Sequence, residues 1–396
     1  MKHAFIVPLI GGQTLGQQAA FGSRPDYLLS YEPFGSNDSH LVNHYGKDTP
    51  YILLDSGGKH PHAVDVVGTT CPCAGLSSLS GHASSEAEPN KWMYETANYV
   101  LGEMKPQVFW GENAPGFAGK IGQPVVDKLY QIARENGYTM SIYRTKSLLH
   151  GVAQVRERSF YFFWRGNRTP IFEYFDKPRA RIEDVLDSVQ DVSFQFDVTN
   201  PRTPSKDDDF YRYVLEELEG GITHHDFYNI LEKSDNPMDY LERKGKNYNE
   251  VGEWMKAKGL DRAAARCERI AKKLATGGNI MRRLSTIPKG HIGAFVGHYP
   301  TQLTHYKEDR YITYREAMAI MGLPNDFELL NPSRNLNHIC QNVPVSTATD
   351  MAKELKAALE GHRDYVSSTL VYQYNASKTY EMRDPQDLAT LDEFFA

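Results

Sequence analysis

The residues best suited to covalent chemistry lie in a short run, Thr70-Cys71-Pro72-Cys73-Ala74-Gly75-Leu76-Ser77. It follows Ala63-Val64-Asp65-Val66-Val67-Gly68, an apolar stretch that reads as a buried strand. A strand that stops at glycine and delivers a thiol onto a proline-stiffened loop is a good place for a nucleophile. Two buried cysteines beside a turn would look the same, and this stretch alone leaves both readings open. The chain has four cysteines, Cys71, Cys73, Cys267 and Cys340. None has metal-ligand CxxC spacing, and they are too sparse for a disulfide framework. No metal is expected, and a reducing, cytoplasmic setting fits.

The elements around this run set its context. Residues 5–10 read as a strand that enters a glycine-rich turn at Ile10-Gly11-Gly12 and then a helix. Such a turn lets backbone N–H groups approach a ligand at a helix N-terminus. Residues 27–32 and 51–55 read as short strands ending in Glu32 and Asp55. An acid at the end of a second strand can accept hydrogen bonds from ribose hydroxyls. Residues 90–103 and 125–136 have helical spacing, and residues 107–111 form a strand running into Glu112-Asn113-Ala114-Pro115. Strands at 138–143 and 159–164 flank the charged turn Gln154-Val155-Arg156-Glu157-Arg158. This alternation predicts an α/β fold with a doubly wound, mostly parallel sheet. Loops at the carboxyl ends of such strands carry function, and Glu32, Asp55, Cys73 and Glu112 all fall there.

The rhythm changes after Arg165. Residues 166–310 are polar and less regular, and residues 200–209 read as a linker or loop. Residues 251–275 have a helical pattern broken at Gly259-Leu260-Asp261, with Asp261 expected to cap the second half. Arg262, Arg266, Arg269 and Lys273 share one helix face. Residues 241–290 hold thirteen Lys and Arg against five acids, inside a chain whose formal net charge is −6. Simple solvation would account for a basic helix face; a helix-turn-helix-like pair beside a glycine-rich turn favours nucleic acid. From Tyr311 the α/β style returns. Residues 313–324 read as a capped helix ended by glycine and proline, residues 339–345 lead into a helix from 346 to about 360, and 369–374 reads as a strand. The predicted organisation is a catalytic and cofactor domain over 1–165, an inserted smaller domain over 166–310, and a return to the first domain over 311–396. No apolar run is long enough to span a membrane. The N-terminus is too glycine-rich for a signal peptide, and a monomer is expected.

In order, these pieces resemble the DNA cytosine-C5 methyltransferases, whose fold is of the class I methyltransferase type. The glycine-rich first turn is similar to Ile10-Gly11-Gly12-x-x-x-Gly16, and the Pro-Cys loop to Pro72-Cys73-Ala74-Gly75. The Glu-Asn-Val motif resembles Glu112-Asn113-Ala114, and Gln-x-Arg-x-Arg is matched by Gln154, Arg156 and Arg158. The late Leu-Thr-x-Arg-Glu helix resembles Ile312-Thr313-Tyr314-Arg315-Glu316, and the closing Gly-Asn-x-Val-Pro motif is echoed by Gln341-Asn342-Val343-Pro344. The middle region falls where the family places target recognition.

The resemblance implies a chemistry. Cys73 would add to C6 of cytosine, which makes C5 nucleophilic toward a sulfonium methyl. Glu112 would hold or protonate N3, Asn113 would position its loop, and Arg156 and Arg158 would favour the thiolate. The base would be flipped from double-stranded DNA. S-adenosylmethionine would be the donor, held by Ile10, Gly11, Gly12 and Asn342, with Glu32 on its ribose and Asp55 near its adenine. Arg262, Arg266, Arg269 and Lys273 would contact DNA. Such enzymes serve restriction-modification or phage DNA modification.

The departures cluster around the donor. The family begins with Asp-Leu-Phe-x-Gly, whereas Phe5, Ile6, Val7, Pro8 and Leu9 stand here. Ala74 replaces a usual Gln, and Cys340-Gln341 break the last motif. These changes keep three readings open: a substituted S-adenosylmethionine that donates a larger group, a divergent but ordinary methyltransferase, and weakened or lost activity. Two further readings stand beside them: a non-catalytic DNA-binding relative, and action on RNA, which the missing Cys-Phe-Thr signature disfavours.

Overall fold

The computed structural model describes residues 1–72, 74–76, 84–189, 208–224, 226–227, 241–277, 287–294, 303–308, 310–376 and 379–383. Cys73, residues 200–207 of the expected linker, and Arg282 and Arg283 of the basic segment lie outside the described residues.

Nine strands form the central sheet: β1 (His3–Ile6), β2 (Leu28–Ser30), β3 (Tyr51–Leu53), β4 (Val66–Thr69), β5 (Val108–Asn113), β6 (Tyr138–Lys146), β7 (Glu157–Arg165), β8 (Leu370–Tyr374) and β9 (Thr379–Arg383). Their spatial order is β9-β8-β6-β7-β5-β4-β1-β2-β3. Parallel pairing runs from β3 through β2, β1 and β4 to β5. β7 is antiparallel to both β5 and β6, and β9 is antiparallel to β8. The expected doubly wound, mostly parallel sheet is therefore present.

Both faces of the sheet are covered, and the strands are accordingly apolar on both sides. Val66, Val108, Trp110, Phe160 and Phe162 point one way, toward α1 (Gly12–Phe21) and the late helix over residues Val345–Leu359. Val67, Phe109, Tyr161 and Phe163 point the other way, with Met93, Ala97, Val126 and Leu129 from the helices between the strands. Those intervening helices are α2 (Gly35–Tyr45), α3 (Pro89–Tyr99) and α4 (Gln123–Glu135). One polar side chain sits under the sheet fully satisfied. Gln17 accepts from Trp110 Nε1 at 2.6 Å, and its amide lies 2.8 Å from His3 Nδ1. Burial lowers the His3 pKa to about 4, so the ring is neutral and able to pair with the amide.

The chain divides into two compact units. The first holds Met1–Arg181, Gly293–Gly297 and Met318–Ala396; the second holds Ile182–Ile292 and His298–Ala317. Residues 166–181, which composition groups with the middle region, pack with the first unit. The Phe172 and Phe175 N–H groups donate to Gln373 Oε1 and Asn375 Oδ1.

The second unit has its own core, built on Tyr211, Tyr213, Phe227, Val251, Met255 and Cys267. Its paired helices are α5 (Tyr248–Ala257) and α6 (Asp261–Ala275). A capping box starts α5, with Asn247 and Glu250 exchanging side-chain and backbone bonds. The expected break between the two helices is there, but Asp261 is not the cap. Leu260 occupies that position, and Asp261 is the first helical residue, where its charge favours the helix dipole instead.

Three helices follow: α7 (Tyr314–Ile320), α8 (Pro332–Gln341) and α9 (Val345–Leu359). A reciprocal pair precedes α7: Glu316 N–H donates to Thr313 Oγ1, and Thr313 N–H donates to Glu316 Oε2. Helix α8 was not anticipated from the sequence. Pro332 in its first turn and the spacing of Leu336, Ile339 and Cys340 are the signals that could have revealed it.

Candidate functional site: a buried glutamate and a strained glycine-rich turn

Two groups of residues converge at the carboxyl ends of the parallel strands. The first is the turn between β1 and α1. Val7 and Leu9 both adopt left-handed backbone, with φ of 52° and 50°, and Gly11 has φ 102°. A left-handed non-glycine residue costs about 1–2 kcal/mol. The surroundings hold it: Val7 N–H donates to Leu29 O at 2.8 Å, Thr70 N–H donates to Val7 O at 3.2 Å, and Leu9 N–H donates to Asp38 Oδ1 at 2.8 Å. Leu9 thus holds a left-handed backbone without being glycine.

The turn ends at Gly12, whose N–H donates to Asn342 Oδ1 at 2.9 Å. A Cβ at residue 12 would overlap both Asn342 Oδ1 and Val343 O, so only glycine lets the two segments meet. Ile10, Gly11, Gly12 and Asn342, named from sequence as donor contacts, are thus brought together. Two buried amides beside them, Gln13 Nε2 and Asn342 Nδ2, have no hydrogen-bond partner among the described residues. Glu32 lies exposed after β2, its carboxylate accepting from the Ser56 hydroxyl at 2.8 Å. The two oxygens of Asp55 accept the Glu32 N–H at 3.1 and 2.8 Å, which ties Asp55 to the turn that presents Glu32.

The second group lies at the carboxyl ends of β4 and β5. Cys71, two residues before Cys73, is fully buried with Thr69 Oγ1 at 3.3 Å and Thr96 Oγ1 at 3.7 Å. Burial raises its pKa to about 11, so it is a neutral packing thiol. The same holds for Cys340, which burial pushes up to about 12.

Glu112 and Asn113 belong to β5 itself and are buried. Asn113 Oδ1 accepts the Ala114 N–H at 2.8 Å, which shapes the exit of the strand. The register of β5 against β7 sets Glu112 opposite Phe160 and Asn113 opposite Ser159, so Arg158 comes next in line. Arg158 Nε lies 3.1 Å from Glu112 Oε2. The approach is an ion pair without hydrogen-bond alignment, and neither atom has a hydrogen-bond partner among the described residues. Burial raises the Glu112 pKa, and the guanidinium groups of Arg158 and Arg156 offset part of the rise. The result is a carboxyl group that keeps its proton above the usual carboxylate range.

Arg156 has a different placement. Its Nη2 donates to Cys340 O at 2.5 Å, at the carbonyl end of α8, and its own carbonyl accepts from Ser147 N–H and Oγ at 2.9 and 3.1 Å. Arg156 therefore ties the segment that carries Asn342 to the segment that carries Arg158. Tyr161 was missed by sequence reasoning. Its hydroxyl lies over Gly111, where a Cβ would overlap it, and it reaches Cys71.

In the second unit, Arg262, Arg266, Arg269, Lys272 and Lys273 are all exposed along α6, while Ala264 and Cys267 are buried on its opposite face. No ion pair engages these five cations among the described residues. By contrast, Lys244, Lys246 and Lys258 pair with Glu219, Glu250 and Glu216.

The fold is shared with solved structures of low identity. One solved structure, described as a DNA modification methyltransferase encoded within an E. coli prophage, is 15% identical, with TM-score 0.57 over 91% of this chain and 99% of that one. The Entamoeba histolytica methyltransferase EhMeth is 12% identical, with TM-score 0.56 over 91% and 98%. The S. pombe Dnmt2 methyltransferase is 12% identical, with TM-score 0.50 over 91% and 99%. Among curated proteins no relative matches. The model of the C-5 cytosine-specific DNA methylases matches residues 46–357, and the chain belongs to that family, a divergent member acting as a DNA cytosine methyltransferase-like enzyme. The match starts beyond the unusual turn at residues 7–12. Among the described residues no helix is long and apolar enough to cross a membrane.

Proposed function

We propose that the chain transfers a methyl or related group to C5 of a cytosine flipped out of double-stranded DNA, through a covalent adduct at Cys73. The observation that carries this reading is Glu112: buried, its pKa raised by that burial, with Oε2 lacking a hydrogen-bond partner among the described residues and Arg158 beside it. A protonated Glu112 can donate to N3 of a cytosine as the Cys73 thiolate adds to C6. The ring electrons then shift to C5. Arg158 stabilises the Glu112 carboxylate left behind. Transfer leaves the donor as the neutral thioether. A base then takes the C5 proton, the carbon–sulfur bond to C6 breaks to release Cys73 as thiolate, and N3 returns its proton to Glu112.

The residues around the first turn fit S-adenosylmethionine or a derivative, which supplies an electrophilic sulfonium-bound carbon when bound. Gln13 Nε2 and Asn342 Nδ2 are buried donors suited to a carboxylate, and Glu32 is an exposed acceptor suited to ribose hydroxyls. The exposed cations of α6 fit DNA phosphates, and the domain roles expected for the two parts of the chain follow from this division of labour.

A duplex carrying 5-fluorocytosine tests the mechanism, since the fluorine blocks release of the adduct. Wild type should become covalently linked in the presence of the donor, and Cys73→Ser should not. Mass spectrometry of the nucleosides from ordinary duplex reads the group transferred. A wild-type protein that forms no adduct on any duplex would overturn the reading.

A further inference from the structure

The first turn carries two left-handed non-glycine residues, Val7 and Leu9, and something must hold them there. The support comes from α2. Asp38, in the first turn of that helix, is fully buried. Its Oδ1 accepts the Leu9 N–H at 2.8 Å and its Oδ2 accepts the Tyr51 hydroxyl at 2.7 Å. Three residues on, Leu41 packs where a Cβ on Gly11 would fall. One helix face thus holds the turn at two points. Pro8, between the two left-handed residues, has no N–H of its own; the β-strand neighbours hold Val7, Asn342 holds Gly12, and the Leu9 N–H is held by Asp38.

We propose that Asp38 is the positioning residue of the donor turn: delivered from α2, its carboxylate locks Leu9 in the left-handed conformation and sets the surface on which the donor rests. The proposal builds on the reading of that turn as the donor site. A charge-assisted bond to a backbone N–H is stronger than a neutral one, and the N-terminal turn of α2 favours the negative charge.

Burial raises the Asp38 pKa to about 7, with the Tyr51 hydroxyl and the Leu9 N–H pulling it back. Tyr51 is the titratable group facing it from β3, Ser30 faces it from β2, and His40 and His44 are the titratable neighbours along its own helix. The turn itself contributes none. The carboxylate is therefore charged above about pH 7 and neutral below it. The grip on Leu9, and with it donor affinity, weakens as pH falls through that point.

Asp38→Ala and Asp38→Asn separate the possibilities. Hydrogen exchange of residues 7–12, followed by mass spectrometry without donor, reads the grip directly. Calorimetric binding of S-adenosylmethionine at pH 6 and pH 8 reads its consequence. Asp38→Ala should speed exchange and weaken donor binding by about tenfold or more, the loss of one charge-assisted hydrogen bond. Duplex affinity should be unchanged. Wild-type donor affinity should rise from pH 6 to pH 8, and Asp38→Asn, which keeps the shape and can still fold if the alanine variant does not, should show no such rise. Exchange equal to wild type in Asp38→Ala, or the pH dependence surviving in Asp38→Asn, would overturn the proposal. If wild type binds no S-adenosylmethionine at either pH, the donor-site reading falls, and the exchange measurement still decides the role of Asp38.

Discussion

Replacing the basic face of α6 should change how DNA affinity responds to salt, more than it changes the fold. The perturbation is the quadruple variant Arg262→Gln, Arg266→Gln, Arg269→Gln and Lys273→Gln. All four side chains are exposed, and the helix packs through Ala264 and Cys267, which are untouched. Glutamine is a good helix former, so α6 should persist. Removing Lys273 from the last turn weakens the helix dipole interaction by about 0.3–1 kcal/mol. If each cation neutralises one phosphate, the slope of log affinity against log salt should fall by about 3.6, from 0.9 per contact. Between 50 and 200 mM salt, wild type would then lose about 150-fold more affinity than the variant. Fluorescence anisotropy of a labelled duplex across that range measures it, with thermal unfolding as the check on folding. A slope that stays the same in a folded variant would refute the reasoning and return the basic face to simple solvation.

Other expectations concern the catalytic unit. Glu112→Gln should slow adduct formation on 5-fluorocytosine duplex by about 10²–10⁴-fold while DNA affinity holds, because it removes the transferable proton. The wild-type rate should fall as pH rises past the raised pKa of Glu112; stopped-time trapping should show that fall missing in the variant. Gly111→Ala would drive a methyl group into the Tyr161 hydroxyl and should destabilise the protein by about 1–3 kcal/mol, read as a lowered Tm. Asn342→Leu removes the acceptor of the Gly12 N–H and should cost about 1–3 kcal/mol, with faster exchange at residue 12.

Much of the first 165 residues was legible because the signals are local. Strand and helix periods, glycine and proline punctuation, and acids at strand ends predicted β1 to β6 in their correct order. The Glu-Asn and Gln-x-Arg-x-Arg motifs led to Glu112, Asn113 and Arg158 on neighbouring strands. Asp261 was misread because a residue that suits a cap also suits the first helical position, one step later. Helix α8 was overlooked because its C-terminal residues, Ile339 to Gln341, were read only as the approach to α9. Asp55 was chosen for its place after a strand, and that place also lets it hold the neighbouring turn.

Residue types and local spacing were enough to specify the α/β alternation and the amphipathic form of α6, since each depends on the chain's own period of 2 or 3.6 residues. Tertiary packing alone decided the antiparallel insertion of β7 between β5 and β6, and with it the approach of Arg158 to Glu112. It also aimed Arg156 at Cys340, 184 residues away, joined Gly12 to Asn342 across 330 residues, and brought Asp38 under Leu9 from 29 residues on. These contacts follow from which apolar faces bury one another. A local pattern shows that a face will be buried, but not which distant segment will cover it.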